Sequence, residues 1–371
     1  MTNMFEYLKW RGDIDFNSSP FNPVDNIILS QLSYLTFENI VPSPEEKEGI
    51  SIAMALKIYD EKINSKEGLK STSFFKEDPD LIRALGASRR FGDCHLFGFI
   101  NNTDIVREIQ FSALCIHTGD DSCFIAFRGT DSSLIGWKED FNMCFRDVIP
   151  SQLEAVYYIE KMAPHITGNL RVGGHSKGGN LAIYAASNCG KNIQKRITAV
   201  YANDSPGFNE KFLKHPGYKA VKDRIHTFVP QSSVIGMLLN HAGDHTVIKS
   251  SENGIMQHNL YSWEVTYNNM VLSENLTESS RFISKTLRQW LDSVDNEKRQ
   301  EFIEAFYHIL TAAEVNSLAE LEKTWFTAVG KVLKSLNKVS ESKRKIIRNT
   351  LKELFLCAGR NIESLIKIKD R

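Results

Sequence analysis

The stretch Val172-Gly173-Gly174-His175-Ser176-Lys177-Gly178-Gly179-Asn180 constrains this chain more than any other. Leu170, Val172 and Gly173 read as a short buried strand. Leu181, Ala182, Ile183, Ala185 and Ala186 read as a helix whose small residues can lie close on a sheet. Between them, Gly174-His175-Ser176-Lys177-Gly178 fits the Gly-x-Ser-x-Gly turn, in which a serine sits on a sharp strand-to-helix bend. The glycines are needed because a side chain at either flank would collide with the neighbouring strand or helix. Such a turn lifts the serine hydroxyl above the sheet. It also aims a helix N-terminus, with its partial positive charge and N–H groups, at the same spot, where an oxyanion can develop. A glycine-rich turn without chemistry would carry the same letters, so the reading depends on partners elsewhere in the chain.

The bulk properties narrow the classes of function. At 371 residues the chain has room for one large domain or two ordinary ones. An apolar fraction of 42% and a charged fraction of 24% fit a soluble globular protein. Basic and acidic residues balance at 45 each, so there is no electrostatic footprint for a nucleic acid. The start, Met1-Thr2-Asn3-Met4-Phe5-Glu6, lacks a basic segment followed by an apolar core, and no apolar run is long enough to span a bilayer. The six cysteines are scattered without a Cys-x-x-Cys pair and read as reduced thiols, Cys115 and Cys123 across a hairpin included. A cytoplasmic address is expected, with no cofactor and no metal.

Three regions are expected. Residues 1–94 form an N-terminal helical segment packing on the core, with helices over 22–36, from Pro42-Ser43-Pro44 through Tyr59, and around Leu81, Ile82 and Leu85. Residues 95–275 carry the strands. Ile109–Ile116 and Ser122–Phe127 flank Gly119-Asp120-Asp121 as a hairpin, a helix covers 152–163, and further strands follow at 197–202, 224–229 and 245–249. Strands alternating with helices imply a mostly parallel sheet. From 276 to 371 the pattern is helical. Apolar faces run through Ile283, Leu287, Trp290, Leu291 and Val294; through Phe302, Phe306, Ile309 and Leu310; through Leu321, Trp325, Ala328, Val329 and Val332; and through Ile347, Leu351, Leu354 and Phe355. These faces suggest a helical cap that borders the acyl site. The basic residues from Lys343 onward interleave with acidic ones, as on a solvated helix face.

A serine nucleophile needs a base, an orienting acid and oxyanion donors. In this class of sheet the order along the chain is serine, acid, histidine. That order sets aside His95, His117, His165 and His175, and leaves His258, in a loop after the last strand, as first choice, with His241 second. Asp204 follows the strand after the serine helix, at the sheet edge where sites collect. Asp244 precedes its strand and ranks second. Asp204 also fits a plain turn aspartate before Ser205-Pro206-Gly207, so a dyad without an acid stays open. The Lys177 N–H and the Gly129-Thr130 backbone, with Thr130 itself, are the oxyanion candidates. Alternatively, Arg128 and Asp131 there form only a structural ion pair.

Two motifs together resemble the class-3 lipases: Phe127-Arg128-Gly129-Thr130-Asp131, followed by Trp137 and Asp140, and Gly174-His175-Ser176-Lys177-Gly178-Gly179. Tyr7-Leu8-Lys9-Trp10-Arg11-Gly12-Asp13, Phe21-Asn22-Pro23-Val24-Asp25, Leu32-Ser33-Tyr34, Gln231-Ser232-Ser233-Val234-Ile235-Gly236-Met237 and Gln257-His258-Asn259-Leu260-Tyr261-Ser262-Trp263 are similar to the Mbeg-like bacterial branch. The resemblance implies an α/β-hydrolase fold, with Ser176 as nucleophile, His258 as base and the Thr130 region as oxyanion hole. Two departures stand out. Lipases of this kind place the acid where this chain has Gln231-Ser232-Ser233, and they have leucine where it has Lys177. That lysine opposes the helix dipole by a few tenths of a kcal/mol, or it draws an anionic substrate group.

The expected function is a serine hydrolase acting on carboxylic esters, lipid or small-molecule, through an acyl-enzyme on Ser176. A thioesterase, acyltransferase or amidase would use the same triad. A non-catalytic binding protein on a hydrolase fold is the third reading, motivated by the missing carboxylate after Val229. The oligomeric state stays open.

Overall fold

The structure is a computed structural model that describes residues 2–46, 48–64, 75–131, 133–241 and 243–312, with scattered positions between 341 and 361. Among these, eight strands form one sheet whose spatial order follows the chain: β1 (Ile50–Ser51), β2 (His95–Asp104), β3 (Ile109–His117), β4 (Ser122–Phe127), β5 (Asn169–His175), β6 (Ile197–Asn203), β7 (Ile225–Pro230) and β8 (Thr246–Ile248). β1 to β4 pair antiparallel, and from β4 onward every pairing is parallel. The helices are α1 (Met4–Arg11), α2 (Pro23–Leu32), α3 (Ile52–Asn64), α4 (Asp78–Ala87), α5 (Leu134–Asn142), α6 (Pro150–Met162) and α7 (Lys177–Asn188), with shorter and later ones beyond.

β4 is buried along its whole length, which requires both faces of the sheet to be covered. Alternation sorts its side chains accordingly. Phe124 and Ala126 pack with Val24, Ile27 and Ile28 of α2 and Leu81 and Leu85 of α4. Cys123, Ile125 and Phe127 pack with Tyr158 and Ile159 of α6 and Leu181 and Ala185 of α7. The N-terminal helices are thus one of the two layers that close the sheet. A mostly parallel sheet with helices on both faces and a strand-to-helix elbow at its centre is an α/β-hydrolase fold.

Several elements differ from the sequence reading. The helix expected from Pro42 starts only at Ile52, because Ile50 and Ser51 pair with Leu96 and His95 and Ile52 N–H donates to Cys94 O at 2.9 Å. The rim strand takes residues that local periodicity assigned to a helix. α1 and α5 were not anticipated. All six cysteines are free, and the hairpin register sets Cys123 opposite His117 and Cys115 opposite Ile125.

A buried ion pair ties the N-terminal motifs together. The Arg90 guanidinium grips Asp25 with two bonds, 2.8 Å from Nε to Oδ1 and 2.6 Å from Nη2 to Oδ2. Tyr7 Oη and the Asn22 N–H complete the carboxylate shell, at 2.8 and 2.9 Å. Nη1 donates to Ile14 O and Ser19 O, and the guanidinium carbon lies 3.9 Å from the Phe16 ring centroid. Both side chains are fully buried. Arg90→Ala is expected to lower the unfolding free energy by about 3–5 kcal/mol, since it strands a carboxylate in the core. Urea unfolding checks this, and a loss below about 1 kcal/mol would contradict the role.

The chain divides into two compact units. The first holds the sheet with α1–α4, α6 and α7. The second joins the stretch around α5 to the helices Glu278–Ser293 and Asn296–Ala312. Within the second, Lys138 lies 3.4 Å from Glu304, and Arg299 donates to Cys144 O at 2.8 Å. Leu291 and Val294 are buried, with Ile283, Leu287 and Trp290 partly so. The faces expected around Leu321–Val332 and Ile347–Phe355, and most of the basic tail, lie outside the described residues, as do the side chains of Phe306, Ile309 and Leu310. Among the described residues no helix is long and apolar enough to cross a membrane.

Candidate active site

β5 runs between β4 and β6 and ends at His175. The next residue, Ser176, has φ 56° and ψ −132° and is the N-cap of α7. For a residue with a side chain this backbone costs on the order of 1–3 kcal/mol and persists only where its surroundings dictate it. They do so here. A Cβ on Gly174 or Gly178 would lie 2.4 or 2.0 Å from Phe127 O, and one on Gly179 would lie 2.8 Å from Ser205 Cβ, so the elbow packs directly on the end of β4 and on the chain after β6. The Ser176 N–H donates to Asn203 O at 2.9 Å. The hydroxyl caps none of the helix N–H groups.

Asp204 follows β6 directly and also has positive φ, 44°. It is 1% exposed. Its Oδ2 lies 2.7 Å from His258 Nδ1. Its Oδ1 accepts from Ser233 Oγ at 2.5 Å and from the Gly236 N–H at 3.0 Å. A buried carboxylate with three hydrogen-bond partners is held in one orientation. Because a carboxylate only accepts, His258 carries its proton on Nδ1 and presents a lone pair on Nε2. His258 is the histidine that meets Asp204. His241 instead packs its ring against His245, 4.6 Å between centroids, and Asp244 lies ahead of β8.

The stretch Gln231-Ser232-Ser233, where the lipase resemblance puts the acid, thus contributes donors. Ser233 bonds Asp204, and the Ser232 N–H donates to Gln257 Oε1 at 2.7 Å, next to His258. Gln257 Nε2 donates to Glu252 O, and the fully buried Trp263 donates to Gln257 O at 2.9 Å. The loop that carries the histidine is therefore pinned at Gln257 on three sides.

Gly129 abuts the elbow. A Cβ there would lie 3.1 Å from Ser176 Cβ and 2.6 Å from His175 O, so the Gly129-Thr130 turn runs beside the serine. Arg128, also expected there, reaches Asn101 at 2.8 Å and Asp131 at 3.4 Å from a buried position. Lys177 differs from one expectation. Its side chain is 1% exposed, and Nζ donates to Gln110 O and Oε1 at 2.8 and 2.9 Å, so its charge is turned into the protein and not toward a substrate. Its backbone stays in the first turn of α7 beside Ser176.

The sequence reading set aside one histidine that the site uses. His175 Nε2 lies 2.8 Å from His258 O, and Nδ1 lies 2.9 Å from Tyr34 Oη. Burial, followed by the neighbouring His258, holds His175 well below the ordinary histidine range, so it is neutral. Behind it, the two hydrogens of Asn203 Nδ2 are shared among Asn26 Oδ1, Ser30 Oγ and Gly174 O, each at 3.1 Å. Tyr34 stood in a motif noted for its resemblance alone, and position before the serine excluded His175 from the base role without suggesting another.

A family model described as Mbeg1-like matches residues 85–308, a span that includes Ser176, Asp204 and His258. No curated protein matches the sequence. Among solved structures, the native Rhizomucor miehei lipase propeptide complex is 18% identical over 42% of this chain and 57% of that one, with a TM-score of 0.32. A fungal lipase–inhibitor complex, titled as a model for interfacial activation, is 14% identical over 62% and 78%, with a TM-score of 0.38. A lipase from Rhizopus microsporus var. chinensis is 15% identical over 54% and 72%, with a TM-score of 0.33. The chain thus spans little more than half the length of the Rhizomucor miehei chain, 57%.

Proposed function

The chain belongs to the Mbeg1-like family, and from that membership and the geometry around Ser176 we propose that it is a serine hydrolase acting on carboxylic esters. The observation that carries the proposal is the 2.7 Å contact from His258 Nδ1 to Asp204 Oδ2, in the segment order that the Ser176 elbow requires. In this reading Ser176 Oγ attacks the acyl carbonyl while His258 Nε2 takes the hydroxyl proton. Asp204 stabilises the imidazolium that forms. The N–H groups of Lys177 and Thr130 hold the oxyanion. The tetrahedral intermediate collapses, the ester C–O bond breaks, and His258 returns the proton to the departing alcohol. Water, deprotonated by His258, then releases the acid and restores Ser176.

The carboxylate at Asp204 weighs against a non-catalytic binding protein. The gap after Val229 suggested that reading, and Ser233 fills the gap by donating to an acid carried on the neighbouring strand. A fluorophosphonate probe tests the proposal. The native protein should label at Ser176, located by peptide mass spectrometry, and should turn over p-nitrophenyl acetate or butyrate. A folded protein that neither labels nor turns over either ester would end the reading.

A further inference from the structure

We infer that His175, the residue before the serine, is a positioning residue that clamps the loop carrying the base, with Tyr34 bracing its other ring nitrogen. The inference rests on the hydrolase reading of Ser176 and His258, and adds to it a second histidine that never touches substrate.

The need for a clamp comes from the loop. Residues 251–256 are exposed one after another, and His258 is the second residue after that stretch. Gln257 is fixed by its side chain and its carbonyl, and the peptide after His258 is held on its N–H side, where Asn259 N–H donates to Met256 O at 3.2 Å, but a bond on one side alone still lets that plane tilt. A tilt there swings the imidazole. The His258 carbonyl removes that freedom by accepting a bond from His175 Nε2 at 2.8 Å. His175 is itself immobile, since it ends β5, is 1% exposed and precedes a residue whose backbone the elbow dictates. The same rigid turn that sets Ser176 therefore sets the base, and the two rings lie 4.2 Å apart.

The tautomer follows from the acceptors. A carbonyl oxygen has no proton to give, so Nε2 of His175 must carry the hydrogen. Nδ1 is then a lone pair, and the Tyr34 hydroxyl donates to it at 2.9 Å. The other neutral tautomer would face two lone pairs toward each other at the His258 carbonyl and would place two hydrogens between Nδ1 and Tyr34 unless that hydroxyl turned away. Tyr34 has a further contact. A Cβ on Gly129 would lie 2.2 Å from its hydroxyl, so it also bears on the turn beside Ser176. Tyr34 and His175 together join the N-terminal layer, the Gly129-Thr130 turn, the elbow and the base loop.

Two substitutions separate the two bonds. A glutamine amide reaches the position of Nε2 and can donate to the His258 carbonyl, whereas an asparagine oxygen reaches only that of Nδ1 and can accept from Tyr34. His175→Asn should slow fluorophosphonate labelling of Ser176 and lower kcat by about 30- to 100-fold with KM unchanged, the scale of a misplaced catalytic group. His175→Gln should keep about ten times more of both than His175→Asn, because the clamp itself is restored. Independently of activity, long-range ¹⁵N–¹H spectra of the native protein should show His175 as the Nε2–H tautomer, and Tyr34→Phe, which leaves the His258 carbonyl in place, should keep it.

Labelling of folded His175→Asn at the native rate, or an Nδ1–H tautomer in the native protein, would overturn the clamp. If the native protein fails to label at all, the hydrolase reading falls instead, and the tautomer alone decides whether His175 holds the loop as described.

Discussion

In the proposed reaction Ser176→Ala is expected to lower kcat for a short p-nitrophenyl ester by about 10⁴- to 10⁶-fold while leaving the unfolding midpoint unchanged. The size of the loss follows from how a triad works. Without the hydroxyl there is no acyl-enzyme, and His258 and Asp204 have no proton to move, so one deletion silences all three. Oxyanion donors and binding still leave about 10³- to 10⁴-fold over water. Stability is spared because alanine takes the same backbone cost at φ 56° that serine does, and because Ser176 Oγ makes no capping bond that its loss would leave open. Glycine would not be an equivalent control, since it removes the strain and changes the unfolded chain at once. Steady-state kinetics on protein purified free of host esterases, with urea unfolding alongside, checks both halves. Turnover within about tenfold of the native enzyme would remove Ser176 from the chemistry.

The parts legible in the sequence were those where backbone geometry leaves few residue choices. Gly174, Gly178 and Gly179 each face a backbone or side-chain atom at less than 3 Å from where a Cβ would sit, so their letters carry the elbow directly. The parallel strands were legible because β4 to β6 are apolar runs closed by helices on both faces. Asp204 could be ranked first from strand order and from the lack of a carboxylate at Gln231-Ser232-Ser233, since an acid is expected at a strand end on the serine's side of the sheet. The rest depends on contacts across long stretches of chain. Ile50 joins a sheet only because Leu96 is there to pair with it. Lys177 is buried only because Gln110, 67 residues earlier, offers two oxygens. Tyr34 and His175 are 141 residues apart, and neither has a local signature for its role. A filter built on the order serine, acid, histidine picks out the proposed reacting groups. It is blind to groups that act on them.

Asp204→Asn is expected to lower kcat by about 10⁴-fold at neutral pH, and its neighbours say why so conservative a change costs so much. The backbone accepts it, because asparagine is among the few residues at ease at the positive φ of 44° that Asp204 adopts. The hydrogen bonds do not. Ser233 Oγ and the Gly236 N–H both donate into the Oδ1 position. An asparagine must put its oxygen there, since placing its NH₂ against the Gly236 N–H would oppose two donors. The NH₂ group then occupies the Oδ2 position, 2.7 Å from His258 Nδ1, and donates to it. His258 is forced to carry its proton on Nε2, toward Ser176, and can no longer accept one. The loss should therefore appear in kcat and in fluorophosphonate labelling, with the unfolding free energy within about 1 kcal/mol of the native protein. The ¹⁵N signals of His258 should change from the Nδ1–H to the Nε2–H tautomer. An Asp204→Asn enzyme within about tenfold of native kcat would mean that the carboxylate only secures the turn after β6, and that Ser176 and His258 work as a dyad.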